Sequence, residues 1–167
     1  MNQNLFVRHF RAYVLALTAL AVLSGSWGCF QTQIKTRDKA SETAVMVACK
    51  SLMVNIQMAA LDKGRAPTLE ELQTGIAMLE LRAFIVGADD ALPQSGYQGY
   101  CFIYLTSDDD AKPSYAVIAR PLAGVPGAAD RPLMYVSSGL GQVFKAPATA
   151  TTPSVPYLND QMPADWQ

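Results

Sequence analysis

Residues 35–61 contain neither Gly nor Pro, and within them Val45, Cys49, Leu52, Ile56 and Ala60 recur at three- and four-residue steps. That period belongs to an α-helix, so one long amphipathic helix is predicted. Asp38, Glu42, Lys50, Asn55 and Gln57 fall largely off the stripe, so one face meets a core and another meets water. At 1.5 Å per residue the helix would be about 40 Å long, which makes it the spine of whatever folds around it. Gly64 ends it, and Pro67, Thr68, Leu69, Glu70 and Glu71 open a second, shorter helix. There Thr68 can cap the backbone while Glu71 reaches back to it. Leu69, Leu72, Ile76 and Leu79 supply that helix with an apolar face, and its end falls near Gly75 or near Arg82.

After Pro93 the period changes. Residues 97–105, 115–121, 133–137 and 142–145 are short runs rich in Tyr, Phe, Val and Ile, divided by Gly, Pro and Asp. They predict three or four antiparallel strands in meander order. In the first, Cys101, Ile103 and Leu105 share one face and Tyr100, Phe102 and Tyr104 the other. The Cys101 face is expected to pack on the long helix, where Cys49 lies. Ser138 to Gly141 is a tight turn between the last two strands. Residues 147–167 are rich in Pro, Thr and Ala with no periodicity, which predicts a loosely ordered tail, pinned at most by Tyr157 or Trp166. Residues 30–146 are accordingly expected to fold without it. The fold class is α+β: a long N-terminal helix packed on a small three- to four-stranded antiparallel sheet.

The first 29 residues address the chain. Arg8 and Arg11 form a basic start, residues 12–23 are an uninterrupted apolar run, and Ser24, Gly25, Ser26, Trp27 and Gly28 lead to Cys29. The segment resembles a bacterial lipoprotein signal, which implies a lipid-modified Cys29. A span of the bilayer needs roughly 20 apolar residues, a length reached here only by counting the small residues. Lipidation at Cys29, an uncleaved membrane helix and ordinary signal cleavage all remain open, and each exports the rest of the chain.

Beyond Cys29 there are 138 residues, enough for one domain. With Arg8 and Arg11 left behind, 11 basic residues face 14 acidic ones, so nucleic acid is not an expected partner. The one histidine, His9, lies in the signal, which leaves the exported part without imidazole for triads, zinc or proton shuttling. Asp108, Asp109 and Asp110 lie between two strands and read as a solvated loop, with calcium the ion their oxygens would suit. Asp89 and Asp90 read the same way. With Cys29 lipidated, Cys49 and Cys101 form an even pair in an oxidising compartment and predict a disulfide, with two buried thiols, or one reactive thiol, as the competing readings. Gly124, Gly127, Gly139 and Gly141 are turn residues, and no glycine pattern cradles a phosphate. Neither cofactor, metal nor small-molecule substrate is implied.

The order of elements resembles type IV pilins and pseudopilins. An apolar N-terminal segment runs toward a long helix, then a capped helix at Pro67, Thr68, Leu69, Glu70, Glu71 and Leu72. Ser95, Gly96 and Tyr97 open the first strand, followed by Tyr115 to Pro121 and then by Tyr135 and Val136 with Gly141, Gln142 and Val143. The resemblance spans residues 35–146. The Gly/Phe-Thr-Leu-Ile-Glu peptidase site of type IV prepilins does not occur, and no glutamate lies among residues 12–29. Polymerisation is therefore not implied. The expected function is that of an exported, membrane-tethered, non-catalytic accessory protein of a bacterial cell envelope. Its loops at residues 106–114 and 123–132, with Asp108–Asp110, Gly124 and Gly127, would meet an envelope protein partner. The alternatives are a subunit of an atypical pilus or secretion pseudopilus, and an enzyme.

Overall fold

A computed structural model describes residues 38–107, 114–139, 141–157 and 163–167. The signal with Cys29, and Asp108, Asp109 and Asp110, lie outside the described residues. The chain divides into Met1–Ala40 and Ser41–Gln167, and the second unit is the α+β domain.

Helix α1 (Asp38–Lys63) forms where the sequence period requires it. Val45, Cys49, Leu52 and Ile56 are fully buried and Ala60 nearly so, with Ala48 and Met53 beside them. The helix stops at Gly64, which takes φ +66. By length and composition α1 could cross a bilayer, but this buried stripe is core of the domain.

Helix α2 (Leu69–Glu71) starts on the predicted capping box: the Thr68 hydroxyl accepts from the Glu71 amide at 3.2 Å, and the Glu71 carboxylate accepts from the Thr68 amide at 2.8 Å. It widens at once into a single π-turn, Leu72–Ile76. Arg82 then folds back over the open end, its guanidinium donating to the carbonyls of Thr74, Gly75 and Ala77 at 2.8–2.9 Å. This settles the end of the helix near Gly75 and gives Arg82 the role of cap. Leu72 is buried and Leu69 and Ile76 pack at the edge of the core, but Leu79, expected on the same face, lies beyond the helix and is exposed.

The sheet has five strands in the order β1 (Ile85–Gly87), β2 (Tyr100–Thr106), β3 (Tyr115–Pro121), β4 (Leu133–Ser137), β5 (Phe144–Ala146). β2 to β5 form the predicted antiparallel meander. β1 pairs parallel to β2, so the sheet is mixed and has one strand more than expected. Three residues are too short a run to show alternation, which is why β1 leaves no signature in the sequence. Before β2 the chain turns tightly at Gln98 (φ +53) and Gly99 (φ +83), closed by the Tyr100 amide donating to Tyr97 at 2.9 Å. The strand consequently begins three residues later than the aromatic run suggests.

Both faces of the sheet are covered. Tyr100, Phe102, Tyr104, Tyr115, Val117, Ala119, Met134 and Val136 face α1. Ile103, Leu105, Ala116, Ile118, Leu133 and Tyr135 form a second core on the opposite face, closed by Ala146 and Trp166. Two expectations are corrected here. Cys101 alternates with Tyr100 and Phe102, so it sits on the Ile103 face and not against α1. The described residues after Ala146 are packed on the sheet: the Trp166 ring lies 5.6 Å from that of Tyr135, and the Tyr157 amide donates to the Tyr135 hydroxyl at 2.7 Å. The last residue pairs with β5 in both directions, Lys145 to Gln167 at 2.7 Å and Gln167 to Lys145 at 2.9 Å.

That pairing closes one edge of the sheet. At the other edge the Gln73 side-chain amide donates to the Ile85 carbonyl at 2.8 Å, and the Asp90 carboxylate accepts from the Gly87 amide at 2.7 Å. Side chains thus occupy outward backbone groups of β1 that another strand would need.

Candidate functional site

Antiparallel alternation decides which loops meet. β2 runs toward Thr106, β3 returns to Pro121 and β4 runs back to Ser137. Ser107 and Ser114, the described ends of the 106–114 loop, therefore lie at the opposite end of the sheet from the 123–132 loop. The first of these loops shares its end with the turn after Ser138, whose amide donates to the Tyr115 carbonyl at 3.0 Å. Its base is fixed by the Ser107 amide on the Ser114 carbonyl at 2.9 Å, and its tip lies outside the described residues.

At this end a cleft of about 1050 Å³ opens between the α1–α2 connection, the turn after β1, the end of β2 and Val155. Its lining includes Arg65, Leu69, Asp89, Tyr104 and Ser107. The basic groups beside it are already committed. Arg65 makes a two-pronged ion pair with Glu71, at 2.8 and 3.0 Å, and Lys63 binds the same carboxylate. Arg65 chiefly, then Lys63 and the Thr68 amide, hold the Glu71 carboxyl well below the usual carboxylate range. The Tyr104 hydroxyl donates to the Pro67 carbonyl at 2.8 Å, and burial pushes its proton affinity far above that of an ordinary phenol. Tyr104 therefore ties β2 to the α1–α2 connection and is held neutral there.

At the other end, the 123–132 loop is a succession of tight turns, with amides of Val125, Ala128, Asp130 and Arg131 each donating three residues back. Gly127 takes φ +74 to begin a short 3₁₀ turn, Ala128–Asp130, and Gly124 has open space around its Cα. Both are turn glycines. The residue that organises this end is Arg131, which the sequence did not single out. It is buried, donates to the Gln98 carbonyl at 3.0 Å and lies 5.9 Å above the Tyr100 ring. It fastens the loop to the turn that starts β2. An arginine beside a proline in a loop carries no periodic signal, so only its contacts reveal it.

Cys49 and Cys101 are free thiols, both buried. The expected helix-to-sheet disulfide is absent because Cys49 packs in the α1 core while Cys101 is on the far face, 3.6 Å from the Arg120 carbonyl. Burial pushes the Cys49 thiol up to about 12 and raises Cys101 as well. A thiol so shifted is a poor thiolate and a poor nucleophile near neutral pH. Among the described residues no group of three or more His, Cys, Asp or Glu side chains is placed to hold a metal ion.

These shifts predict how stability changes with pH. Cys49 and Tyr104 bind their protons more tightly folded than unfolded, so the stabilisation is complete below about pH 9 and is lost as pH rises through the folded values. Each fully shifted group steepens the loss by about 1.4 kcal/mol per pH unit. Thermal melts between pH 8 and 11 are expected to fall progressively above pH 9, and the fall should be shallower in Cys49→Ala. Thiol-reactive dye should label neither Cys49 nor Cys101 in the native protein and both in denaturant without reductant; labelling of neither would restore the disulfide.

No protein-family model matches this chain, and neither a curated protein nor a solved structure matches it significantly.

Proposed function

We propose that the chain is an exported, membrane-tethered accessory module of a bacterial cell envelope, with a pilin-like domain that binds a protein partner and performs no chemistry of its own. The observation that carries this reading is the combination of leader and domain: Arg8, Arg11, the apolar run and Cys29 stand ahead of a long helix that serves as spine to a small sheet. Two observations support a binding role. Glu71, Arg65, Tyr104 and Arg131 are engaged in structural bonds, and both described thiols are buried. What the described residues offer outward is the cleft, with Ser107 on its rim, at one end and the Arg131-fastened loop at the other.

The same reading separates the module from filament subunits. A pilin-like helix packed among its neighbours in a filament needs a carboxylate to meet each incoming amine. Residues 12–29 supply none, which would leave a charged terminus buried at a cost of several kcal/mol. Closed sheet edges remove strand exchange as a second route. Fractionation of cells should place the full chain with membranes, and Cys29→Ala should release or misprocess it if lipid is the anchor. The intact mass of the mature protein separates lipidation, simple cleavage and an uncleaved helix. Regular filaments containing the protein in electron micrographs would overturn the reading in favour of a pilus or pseudopilus subunit.

A further inference from the structure

Of the seven large hydrophobic side chains exposed among the described residues, four lie on α1: Val47 (56%), Val54 (55%), Met58 (66%) and Leu61 (82%). They are not scattered. With the small residues Ala44 and Ser51 they form the series 44, 47, 51, 54, 58, 61, whose steps alternate three and four. That is a heptad seam, and it lies on the side of the helix opposite the buried Val45–Ile56 stripe. A solvated helix face has no need of such a period; a face that packs against another helix does.

The order of sizes along the seam says which helix. Small residues come first, Ala44 and Ser51, and large ones last, Met58 and Leu61. An antiparallel pairing of two copies sets Leu61 on Ala44, Val54 on Ser51 and Met58 on Val47, a larger side chain against a smaller one in every layer, as close packing requires. A parallel pairing would stack Leu61 on Leu61 and leave a gap at Ala44. In the antiparallel register Lys50, on the flank, falls beside Gln57 of the second copy, so like charges do not meet.

We propose that two copies of this chain pair through this outward face of α1, with their helices antiparallel about a two-fold axis between Ser51 and Val54. The four exposed side chains offer roughly 400 Å² per copy, a patch size that is commonly functional and about half of each partner's share in a standard interface. The pairing is therefore weak in dilute solution and is strengthened where the copies are concentrated, as on a surface. It rests on α1 alone and holds whether or not the N-terminus is an anchor.

Sedimentation of the full chain in a mild, density-matched detergent tests it. Dimer is expected at high protein concentration, and Met58→Glu and Val54→Glu should each weaken it by roughly tenfold or more by placing a charge in the seam. The native protection of Cys49 from thiol dye shows that each variant remains folded. Mixing Ala44→Cys with Leu61→Cys chains should give an oxidative cross-link absent from the unsubstituted protein. A chain that stays monomeric, or a dimer indifferent to Met58→Glu, overturns the proposal. So does Leu61→Cys cross-linking only to itself. Loss of vesicle binding in Met58→Glu with no change in mass would assign the face to a lipid bilayer instead.

Discussion

Deleting residues 147–167 is expected to lower the thermal midpoint by roughly 10 °C or more, or to abolish folding, because Trp166, with Ala150 and Tyr157, covers the second core. The magnitude follows from Trp166 alone. It is 6% exposed, its ring meets Tyr135, and removing a buried Trp costs about 3–5 kcal/mol. In a domain of this size each kcal/mol is worth roughly 3–6 °C. Deletion goes further than Trp166→Ala, since it also exposes Ile103, Leu105, Ile118 and Leu133, removes the Tyr157 amide from the Tyr135 hydroxyl and opens the β5 edge. Trp166→Ala should therefore melt between the intact and truncated chains, and Val155→Ser, at an exposed position, should melt with the intact one. Coincident melts of the intact and truncated chains would show that the outer face of the sheet is stable without its cover.

The same segment marks the boundary of what the sequence makes legible. The long helix, its buried stripe and the Thr68–Glu71 capping box each rest on a local period or a local bond, and the structure has all three. The described residues of the tail form neither helix nor strand, so they carry no period; they contribute single anchors, Tyr157 and Trp166, to a core built by distant strands. A signal for it did exist. Residues 100–105 read Tyr, Cys, Phe, Ile, Tyr, Leu, apolar on both sides of the pleat, and a strand with two apolar faces needs two covers. One helix supplies one. Trp166, Tyr157 and Ala150 supply the other.

The face that Cys101 takes is hidden in the sequence for a related reason. Alternation separates Cys101 from Phe102 but does not say which of two apolar faces meets α1. A cysteine on each element points to one face by chemistry, whereas the larger aromatic side chains, Tyr100, Phe102 and Tyr104, are the ones that fill the space under the helix. The candidate site was legible to a smaller degree. Loops could be located, but which loops share an end depends on strand direction, and Arg131 acts through bonds to residues 33 positions away.

Substituting Gly96 by Ala is expected to destabilise on the same scale, and its cause is backbone geometry. A Cβ at this position would lie 2.2 Å from the Tyr100 carbonyl oxygen, 2.7 Å from its carbon and 2.8 Å from a Leu122 methyl. A flexible side chain could swing aside; the Tyr100 carbonyl cannot, because Tyr100 is the first residue of β2, paired with Pro121 and fully buried. Relief would require shifting the turn at Gln98 and Gly99, and with it the Arg131 contact to Gln98 that fastens the 123–132 loop. The expected cost is roughly 3 kcal/mol or more, above the usual range for overpacking because backbone meets backbone. That corresponds to a fall in midpoint of about 10 °C or more. Gly124→Ala is the control: nothing lies within 4 Å of its added Cβ, so its melt should stay close to that of the unsubstituted chain. The comparison also bears on how loop and strand are coupled. If Gly96→Ala destabilises while Gly124→Ala does not, the start of β2 and the 123–132 loop form one packed unit, and a partner that grips the loop also grips the sheet. If both are neutral, the close approach at Gly96 carries no weight and the loop is free to adapt to whatever binds it.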